Sequence, residues 1–287
     1  GFTGKVTSYS IQWTDDLQLP SMEGIIDKQK GTDLVSENTK MSLMYIPSVD
    51  TFNPEIEKET KLVYANQSDV SNIIDAKTGE VMTIDKYTGI NIKSKDITSQ
   101  QKEQIYMNSQ GTQNLSGVTG DEAGEIAKQK LKLLFNEDFT VNSSGYGERS
   151  EANGKRIKTW DVSFTVKNSS DPNNSGNISI NASNGEIMDI YRYNQFADND
   201  EEPFVPKLTS EQAYNQAVQI ISKLYPEKIK DINTKQNIVD SSSTCLQSQL
   251  GVNFQRLVNG LVYKNDGINF CFSAKTGELL NVNFNWE

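Results

Sequence analysis

A short phrase that occurs three times constrains the fold of this chain more than any other feature. It occupies residues 74–81, 180–187 and 272–279, and in each copy an apolar residue precedes a polar turn that ends in Gly-Glu. Such a turn between two apolar segments predicts a β-hairpin, because glycine readily takes the positive φ that the turn requires. We therefore expect related modules, each marked by one structural hairpin glycine: Gly79, Gly185 and Gly277.

A fourth, partial copy of the phrase lies at the start of the sequence. Residues 3–13 align with residues 276–286, which places Gly4 in the position of a further hairpin glycine. We expect residues 1–13 to form the terminal strand of a preceding repeat that is truncated in this chain.

Helix start signals precede two of the hairpins. Thr119 with Glu122, and Thr209 with Gln212, have the spacing of a capping box, and Pro226 is expected to end the second helix. The apolar residues after each start share one face of a helix: Ala123, Ile126, Ala127, Leu131 and Leu134, and then Ala213, Ala217, Val218, Ile221 and Leu224. Each helix therefore has one side to bury.

Alternating apolar and polar residues predict strands around the hairpins. Residues 160–166 and 280–286 alternate with a period of two, which is typical of a strand with one buried face. Residues 41–46 and 61–64 are expected to form strands ahead of the Gly79 hairpin. The pattern predicts an α+β protein of tandem modules, each an amphipathic helix packed on a three- or four-stranded antiparallel sheet.

Polar stretches divide the chain into segments. The hairpin glycines are unevenly spaced along it. Uneven spacing disfavours a stacked solenoid and favours modules that have their own cores and dock on one another. We expect a short helix or an irregular segment within 21–30, and a short helix within 99–107. The predicted order is residues 1–13, terminal strand; 14–93, divergent module; 94–117, connector; 118–197, second module; 198–207, acidic linker; and 208–287, third module.

Charge and composition exclude several classes of function. The formal net charge of -10 repels phosphate backbones and anionic lipids, so nucleic acid is not an expected partner. No apolar run approaches the roughly 20 residues that span a bilayer, so we expect no direct membrane insertion. The sequence contains no histidine, which excludes Ser-His-Asp and Cys-His catalysis and most zinc sites. We therefore predict no catalytic, cofactor-binding or metal-binding residues.

The two cysteines, Cys245 and Cys271, both fall in the third module. Without a CxxC spacing or any histidine they do not form a usual zinc set. Two interpretations stay open: a disulfide between them, or two separate buried thiols.

Several acidic residues have the chemistry of a catalytic or calcium-binding site. The adjacent pairs Asp15-Asp16 and Glu201-Glu202 lie in polar segments, where solvated charges are expected rather than acid-base catalysis. The stretch 198–202 offers oxygen ligands for calcium but lacks a complete calcium loop, so a solvated linker is the preferred interpretation. The glutamates that follow the hairpin glycines are expected to be exposed hairpin residues: Glu80, Glu186 and Glu278.

Two further features have a structural and a functional interpretation. Trp13 and Trp286 end equivalent strands, and packing is favoured over a carbohydrate-binding platform. Arg256 and the dipeptide Asn259-Gly260 lie together, and a tight turn before the next strand explains the dipeptide.

The third module contains segments that resemble a known family. They are the helix start at 208–213, the helix end at 224–227, the segment 254–260 with its Arg-Leu-Val-Asn-Gly element, and the hairpin at 274–278 followed by Trp286. These segments resemble the YcdB/YcdC repeat family, which is related to the PepSY (peptidase propeptide and YpeB) domain. The second module shares the helix and hairpin, and the first shares only strands and hairpin.

The resemblance implies a small α+β, PepSY-like module on secreted or cell-surface proteins of Gram-positive bacteria. PepSY relatives are thought to restrain or assist peptidases or to bind proteins, and no catalytic residue or cofactor is attached to the family. We therefore expect a non-enzymatic, extracellular or cell-surface protein-interaction array, with a peptidase or a neighbouring surface domain as its partner. Two alternatives stay open: a structural spacer, and a glycan-binding protein or carboxylate-dependent hydrolase.

Overall fold

The computed structural model describes residues 21–47, 59–66, 73–82, 92–108, 117–150, 156–167, 174–193, 204–239 and 248–286. The chain divides into two compact units. The smaller unit draws on residues 1–39 and 70–83, and the larger unit on residues 40–69 and 84–287.

The smaller unit contains one helix and one hairpin. Helix α1 spans Lys28–Asn38, and the hairpin joins β3 (Ile73–Ile74) to β4 (Val81–Met82). A short helix or an irregular segment was expected within 21–30: residues 21–27 are irregular, and the helix begins at Lys28 and runs through Gly31. The Asp27 side chain caps it by accepting the N–H of Lys30, which offsets the low helix propensity of glycine.

The larger unit contains three α-helices and a 3₁₀ helix among its described residues. They are α2 (Ser99–Met107), α3 (Gly120–Phe135), α4 (Ser210–Leu224) and a 3₁₀ helix at Pro226–Asp231. The predicted capping boxes at Thr119 and Thr209 are confirmed, as is the short helix within 99–107. A third capping box, Thr98 with Gln101, starts α2 and was not recognised in the sequence.

The strands of the larger unit form one large sheet and one small one. They are β1 (Met41–Pro47), β2 (Thr60–Asn66), β5 (Ile92–Lys95), β6 (Phe139–Ser150), β7 (Arg156–Val166), β8 (Ser175–Asn181), β9 (Ile187–Tyr193), β10 (Gln236–Val239), β11 (Gln249–Val258), β12 (Leu261–Ser273) and β13 (Leu279–Asn285). The nine-stranded sheet has the order β2-β1-β12-β13-β9-β8-β7-β6, and β11 also pairs with β12. Strands β5 and β10 form a separate pair. The fold is thus α+β with a mostly antiparallel sheet.

The large sheet runs without a break through the strands assigned to the second and third modules. Strand β9 pairs with β13 around Ile190 and Val282. The buried apolar residues of α3, α4 and these strands form one core cluster. The expectation of separate cores is therefore wrong, because pairing β9 with β13 satisfies two strand edges at once and merges the apolar surfaces beneath them. The module boundaries themselves stay predictions.

Strand β1 joins the sheet in a way that the sequence did not predict. It pairs in parallel with β12 through Met44 with Val262 and Tyr45 with Tyr263, and antiparallel with β2. Both strands thus belong to the larger unit, although they were expected beside the Gly79 hairpin, which lies in the smaller unit.

The repeated phrase makes the same backbone contacts in all three described copies. Its glycine has a φ of +74° at Gly79, +76° at Gly185 and +79° at Gly277. The carbonyl of its alanine accepts the N–H of the residue just before a helix cap. These pairs are Ile26 with Ala76 (2.7 Å), Val118 with Ala182 (2.8 Å) and Leu208 with Ala274 (3.3 Å). The phrase thus forms a tight turn and also anchors the start of a helix.

Candidate protein-interaction site

Strand β6 forms one end of the nine-stranded sheet. Its twelve residues, Phe139–Ser150, pair with β7 from Phe139↔Val166 to Ser150↔Arg156. Within the described ranges, no strand pairs with its other side. An edge of this kind carries backbone N–H and C=O groups that a further strand can bind.

The middle of β6 offers little protection against strand addition. Proteins usually guard an exposed edge with proline, charged side chains or a bulge. Residues 139–150 contain no proline or lysine, and their charged residues, Glu148 and Arg149, lie near the end of the strand. One irregularity in the pairing lies between Val141 and Ser143. Beyond it, residues 143–147 are Ser, Ser, Gly, Tyr and Gly, whose mostly small side chains leave the backbone accessible.

An aromatic pair lies beside this edge. The ring of Tyr146 lies 5.0 Å from that of Trp160 on β7, and Tyr146 is 55% exposed. Trp160 is held in place because its Nε1 donates a 2.7 Å hydrogen bond to the carbonyl of Val118. Its ring also lies against Gly120, where a Cβ atom would come within 3.1 Å of it. The pair therefore provides a fixed apolar contact next to the open backbone.

The other described strand ends of the sheet are less suitable. The outer side of β11 is partly occupied, because Ile232 bridges to Arg256 and the N–H of Asn233 donates to the carbonyl of Gln255. The Gln236 side chain also donates to the carbonyl of Asn253. Strand β2 has seven residues, so β6 is the longest open edge in the described part of the sheet.

A buried arginine that the sequence did not predict as a site residue connects separate segments near the paired strands β9 and β13. Arg192 on β9 is 4% exposed, and its Nη2 lies 3.1 Å from Glu137 Oε2 and 4.0 Å from Glu278 Oε1. Its Nε donates to Asn174, and its guanidinium lies 5.1 Å from the Phe135 ring. We call these five residues the Arg192 cluster. All of them except Asn174 line a cleft of about 330 Å³ beside α4.

The Arg192 cluster stabilises the fold by connecting separate segments of the chain. Its cation faces two carboxylates and an amide oxygen, so its hydrogen-bonding and electrostatic capacity is directed inward. Glu278, expected to be an exposed hairpin residue, is partly buried here because it turns toward Arg192. Glu186 is likewise partly buried beside Lys228, at 3.4 Å, whereas Glu80 is exposed.

Trp286 and Arg256 form another internal cluster. The Trp286 ring stacks on Phe284 at 5.5 Å, and the Arg256 guanidinium lies 4.9 Å from its centre. Arg256 also donates a 2.8 Å hydrogen bond to the buried carboxylate of Asp266. Packing is thus the role of Trp286. Asn259 and Gly260, both with positive φ, form the two-residue turn between β11 and β12.

Several predicted positions lie outside the described residues: Gly4, Trp13, Asp15, Asp16, Asp198, Asp200, Glu201, Glu202 and Cys245. Cys271 lies on β12, and its Sγ is 3.3 Å from Gln249 Oε1. Both interpretations, a Cys245–Cys271 disulfide and two separate buried thiols, stay open. The described positions contain no cluster of three His, Cys, Asp or Glu residues suited to a metal ion. None of the helices in the described ranges has the length and apolar character needed to cross a membrane.

Asp189 lies on the face of β9 opposite to that of Arg192, and its pKa differs from the ordinary value. Burial raises its pKa above the ordinary value, although Asn283 and Asn281 donate to its carboxylate. Because the folded state then binds the proton more tightly than the unfolded state, charged Asp189 lowers stability above its folded pKa. That penalty is relieved as the pH falls through the folded pKa toward the ordinary value.

We therefore expect Asp189→Asn to be at least as stable as the wild type at pH 7. As the pH is lowered toward 4, the wild type should gain free energy of unfolding relative to the variant, measured by urea unfolding at several pH values. Asp121→Asn, which removes an exposed carboxylate, is the control for loss of one charge. The expectation would be contradicted if the wild type gained free energy of unfolding relative to Asp189→Asn as the pH rises.

The geometry defines an α+β protein with two helices packed on a largely antiparallel sheet. The profile of the YcdB, YcdC repeated-domain family matches residues 125–286, more than half of the chain, so the chain belongs to that family. The matched region runs from within α3 through β13 and therefore includes both sides of the β9–β13 seam.

One solved structure is similar in fold, the C-terminal domain of YpeB from Bacillus megaterium. The match has 16% sequence identity and a TM-score of 0.39. It covers 60% of this chain and 65% of that chain, which is less than two thirds of that domain. No protein with a curated function matches the sequence significantly.

Proposed function

We propose that this chain is a non-enzymatic protein-interaction array, outside the cell or at its surface, that binds an extended segment of a partner protein. The observation that carries the proposal is the open edge of β6, whose twelve residues pair with β7 on one side. An extended segment can add to such an edge because its backbone supplies the complementary donors and acceptors.

Side chains of the added segment would provide the selectivity. Alternate residues of a strand point to opposite faces of a sheet. One set would therefore lie on the side of Tyr146 and Trp160, where an apolar side chain can pack against the rings. The other set would lie on the polar face. The preferred segment thus alternates apolar and polar residues.

The chemistry of the described acidic residues supports a binding role over a catalytic one. Asp189 accepts hydrogen bonds from two asparagines, and Glu137 and Glu278 flank Arg192. These carboxylates are engaged in contacts that connect a strand to another strand or to a loop. The proposal therefore assigns no residue a catalytic role and requires no cofactor.

The remaining parts of the proposal rest on the family resemblance and the recurring hairpins. The same helix anchor at Ala76, Ala182 and Ala274 supports descent of the segments from one PepSY-like module. The relation to peptidase propeptides makes a peptidase or a neighbouring surface domain the first partner to test. It also favours an extracellular or cell-surface location.

Strand addition can be tested with peptides selected from a random display library for binding to the purified chain. Each selected peptide is resynthesised with single N-methyl groups along its backbone. Because alternate N–H groups of an added strand face its neighbour, N-methylation should weaken binding about tenfold or more at every second position. Hydrogen exchange should slow at residues 139–150 when the peptide binds.

The variant Gly145→Pro changes the middle of the β6 edge and should weaken binding. Gly251→Pro, on edge strand β11, is its matched control, and circular dichroism checks the fold of both. Equal sensitivity to N-methylation at all positions, or protection confined to other strands, would contradict strand addition at β6. The N-methylation scan tests strand addition at β6 even where a proline variant does not fold.

A further inference from the structure

The face of the large sheet opposite α3 and α4 is polar across seven strands. Phe164, Ile178, Val282 and Phe270 point into the core below the helices. The alternating residues point the other way, because successive side chains of a strand lie on opposite faces. In the middle of this side, described residues form two regular cross-strand rows, which we call the open face.

The registers of the strands define these rows. One contains Asn253, Asn269, Asn283, Asp189, Ser179, Asp161 and Gly145. The next contains Gly251, Cys271, Asn281, Tyr191, Asn177, Ser163 and Ser143. None of these residues has an aliphatic side chain. With six interstrand spacings of about 4.8 Å, each row is roughly 29 Å long.

Hydrogen bonds hold several of these side chains in fixed positions. Asn283 donates to Asp189 at 3.1 Å, and the Ser179 hydroxyl donates to Asp161. The hydroxyls of Ser143 and Ser163 lie 2.7 Å apart. Amides and hydroxyls can each donate and accept, so the bonded side chains keep further capacity for a ligand. The rows therefore present an ordered array of donors and acceptors.

Two tyrosines of β9 lie at the open face. Tyr191 belongs to the second row, and Tyr193 lies beside that row, opposite Ser175 of β8. Tyr191 and Tyr193 are 45% and 47% exposed, and their rings meet edge to face at 4.8 Å. The Asn177 side chain donates to the Tyr193 hydroxyl at 3.3 Å, which fixes that ring. Exposed aromatic rings of this kind offer apolar contact area within a polar surface.

The chemistry of the open face selects among ligand classes. A protein or lipid interface would need an apolar patch, and the two rows provide none. A polyanion would meet the carboxylates of Asp161 and Asp189, the second with Arg149 nearby, in a chain of net charge -10. An uncharged, polyhydroxylated chain fits better. Its hydroxyls complement the amides and hydroxyls, and the apolar faces of its sugar rings complement the two tyrosines.

We propose that the open face binds an extended, uncharged polysaccharide that runs along the rows, with Tyr191 and Tyr193 as its stacking contacts. This site uses the side chains of the sheet face, whereas the proposed protein partner uses the outer backbone of β6. The two sites meet at Ser143 and Gly145, and the polysaccharide proposal does not depend on that partner. The length of the rows suits a ligand of several sugar units rather than a monosaccharide.

The test is titration of the purified chain with cellohexaose, xylohexaose and chitohexaose, followed by calorimetry and by chemical-shift changes. At least one hexaose should bind, its disaccharide should bind more weakly, and anionic polygalacturonate should not bind. The double variant Tyr191→Ala with Tyr193→Ala should weaken binding about tenfold or more.

The matched control is Tyr64→Ala, which removes a tyrosine that is 71% exposed on β2, away from the rows, and should leave affinity unchanged. Failure of all three hexaoses to bind at millimolar concentration would overturn the proposal. Equal affinity of the double tyrosine variant and the wild type would overturn it as well. Chemical-shift changes confined to the β6 edge would place any binding elsewhere and have the same consequence.

Discussion

Arg192→Ala is expected to lower the free energy of unfolding of this protein by about 3 kcal/mol. The substitution removes a buried cation and leaves Glu137 and Glu278 side by side without their common partner. Breaking a fully buried ion pair costs about 3–5 kcal/mol, and the partial exposure of both glutamates places this case at the lower end. A loss of that size lowers Tm by roughly 6–12 °C in a unit of this length.

Urea unfolding and differential scanning calorimetry measure this effect directly. Lys128→Ala is the matched control, because Lys128 forms an exposed ion pair with Glu125 at 2.6 Å within α3. Exposed pairs contribute about 0.2–1 kcal/mol, so this variant should remain close to the wild type. Similar losses of unfolding free energy in the two variants would show that the Arg192 cluster does not stabilise the fold as its geometry indicates.

Local features of the fold could be predicted from the sequence. The hairpin at Gly277 depends on residues within one turn, and the helix starts at Thr119 and Thr209 depend on side chains three residues apart. The alternation at 280–286 likewise reflects one strand with one buried face. These signals survive in the sequence because each depends on neighbours along the chain.

Features that depend on distant partners could not be predicted. Strand β6 has a sequence rich in serine and glycine, and its pairing depends on the apolar side chains of β7. The parallel pairing of β1 with β12 joins residues more than 200 positions apart, for which no local pattern exists. Arg192 has no sequence signal at all, because its partners Glu137, Asn174 and Glu278 come from three separate loops.

The candidate sites also depend on distant partners, so the sequence did not predict them. An edge strand or an open face is defined by what does not pack against it, and such a property belongs to the assembled sheet. Asp189, Asn281 and Asn283 illustrate this, because β9 and β13 bring them together only after pairing. The sequence indicated half-buried strands with polar outer positions, and the register then aligned those positions into rows.

Gly176→Ala is expected to destabilise the fold by about 3 kcal/mol, through crowding rather than loss of charge. Gly176 lies on β8 opposite Arg192. A Cβ atom there would lie 2.2 Å from the carbonyl oxygen of Tyr191 and 2.6 Å from the Phe164 ring. The backbone carbonyl cannot rotate away, so β8 and β9 must separate locally, and such overpacking costs about 1–3 kcal/mol or occasionally more.

Gly251→Ala is the matched control, since Gly251 also lies in a strand and a Cβ atom there would meet no atom within 4 Å. That variant should be neutral or more stable by about 0.5 kcal/mol, because alanine loses less backbone entropy on folding. Equal losses in the two glycine variants, measured by urea unfolding, would contradict the crowding argument.

Crowding at Gly176 should also couple to the Arg192 cluster. The added methyl group would lie 3.1 Å from the Cα atom of Arg192, so it displaces the backbone that positions the guanidinium. Arg192→Ala should therefore cost less in the Gly176→Ala background than in the wild type, by about 1 kcal/mol, as expected for residues in direct contact. Strict additivity in this double-mutant cycle would mean that the arginine keeps its partners despite the methyl group. The strain would then be confined to the Tyr191 carbonyl and the Phe164 ring.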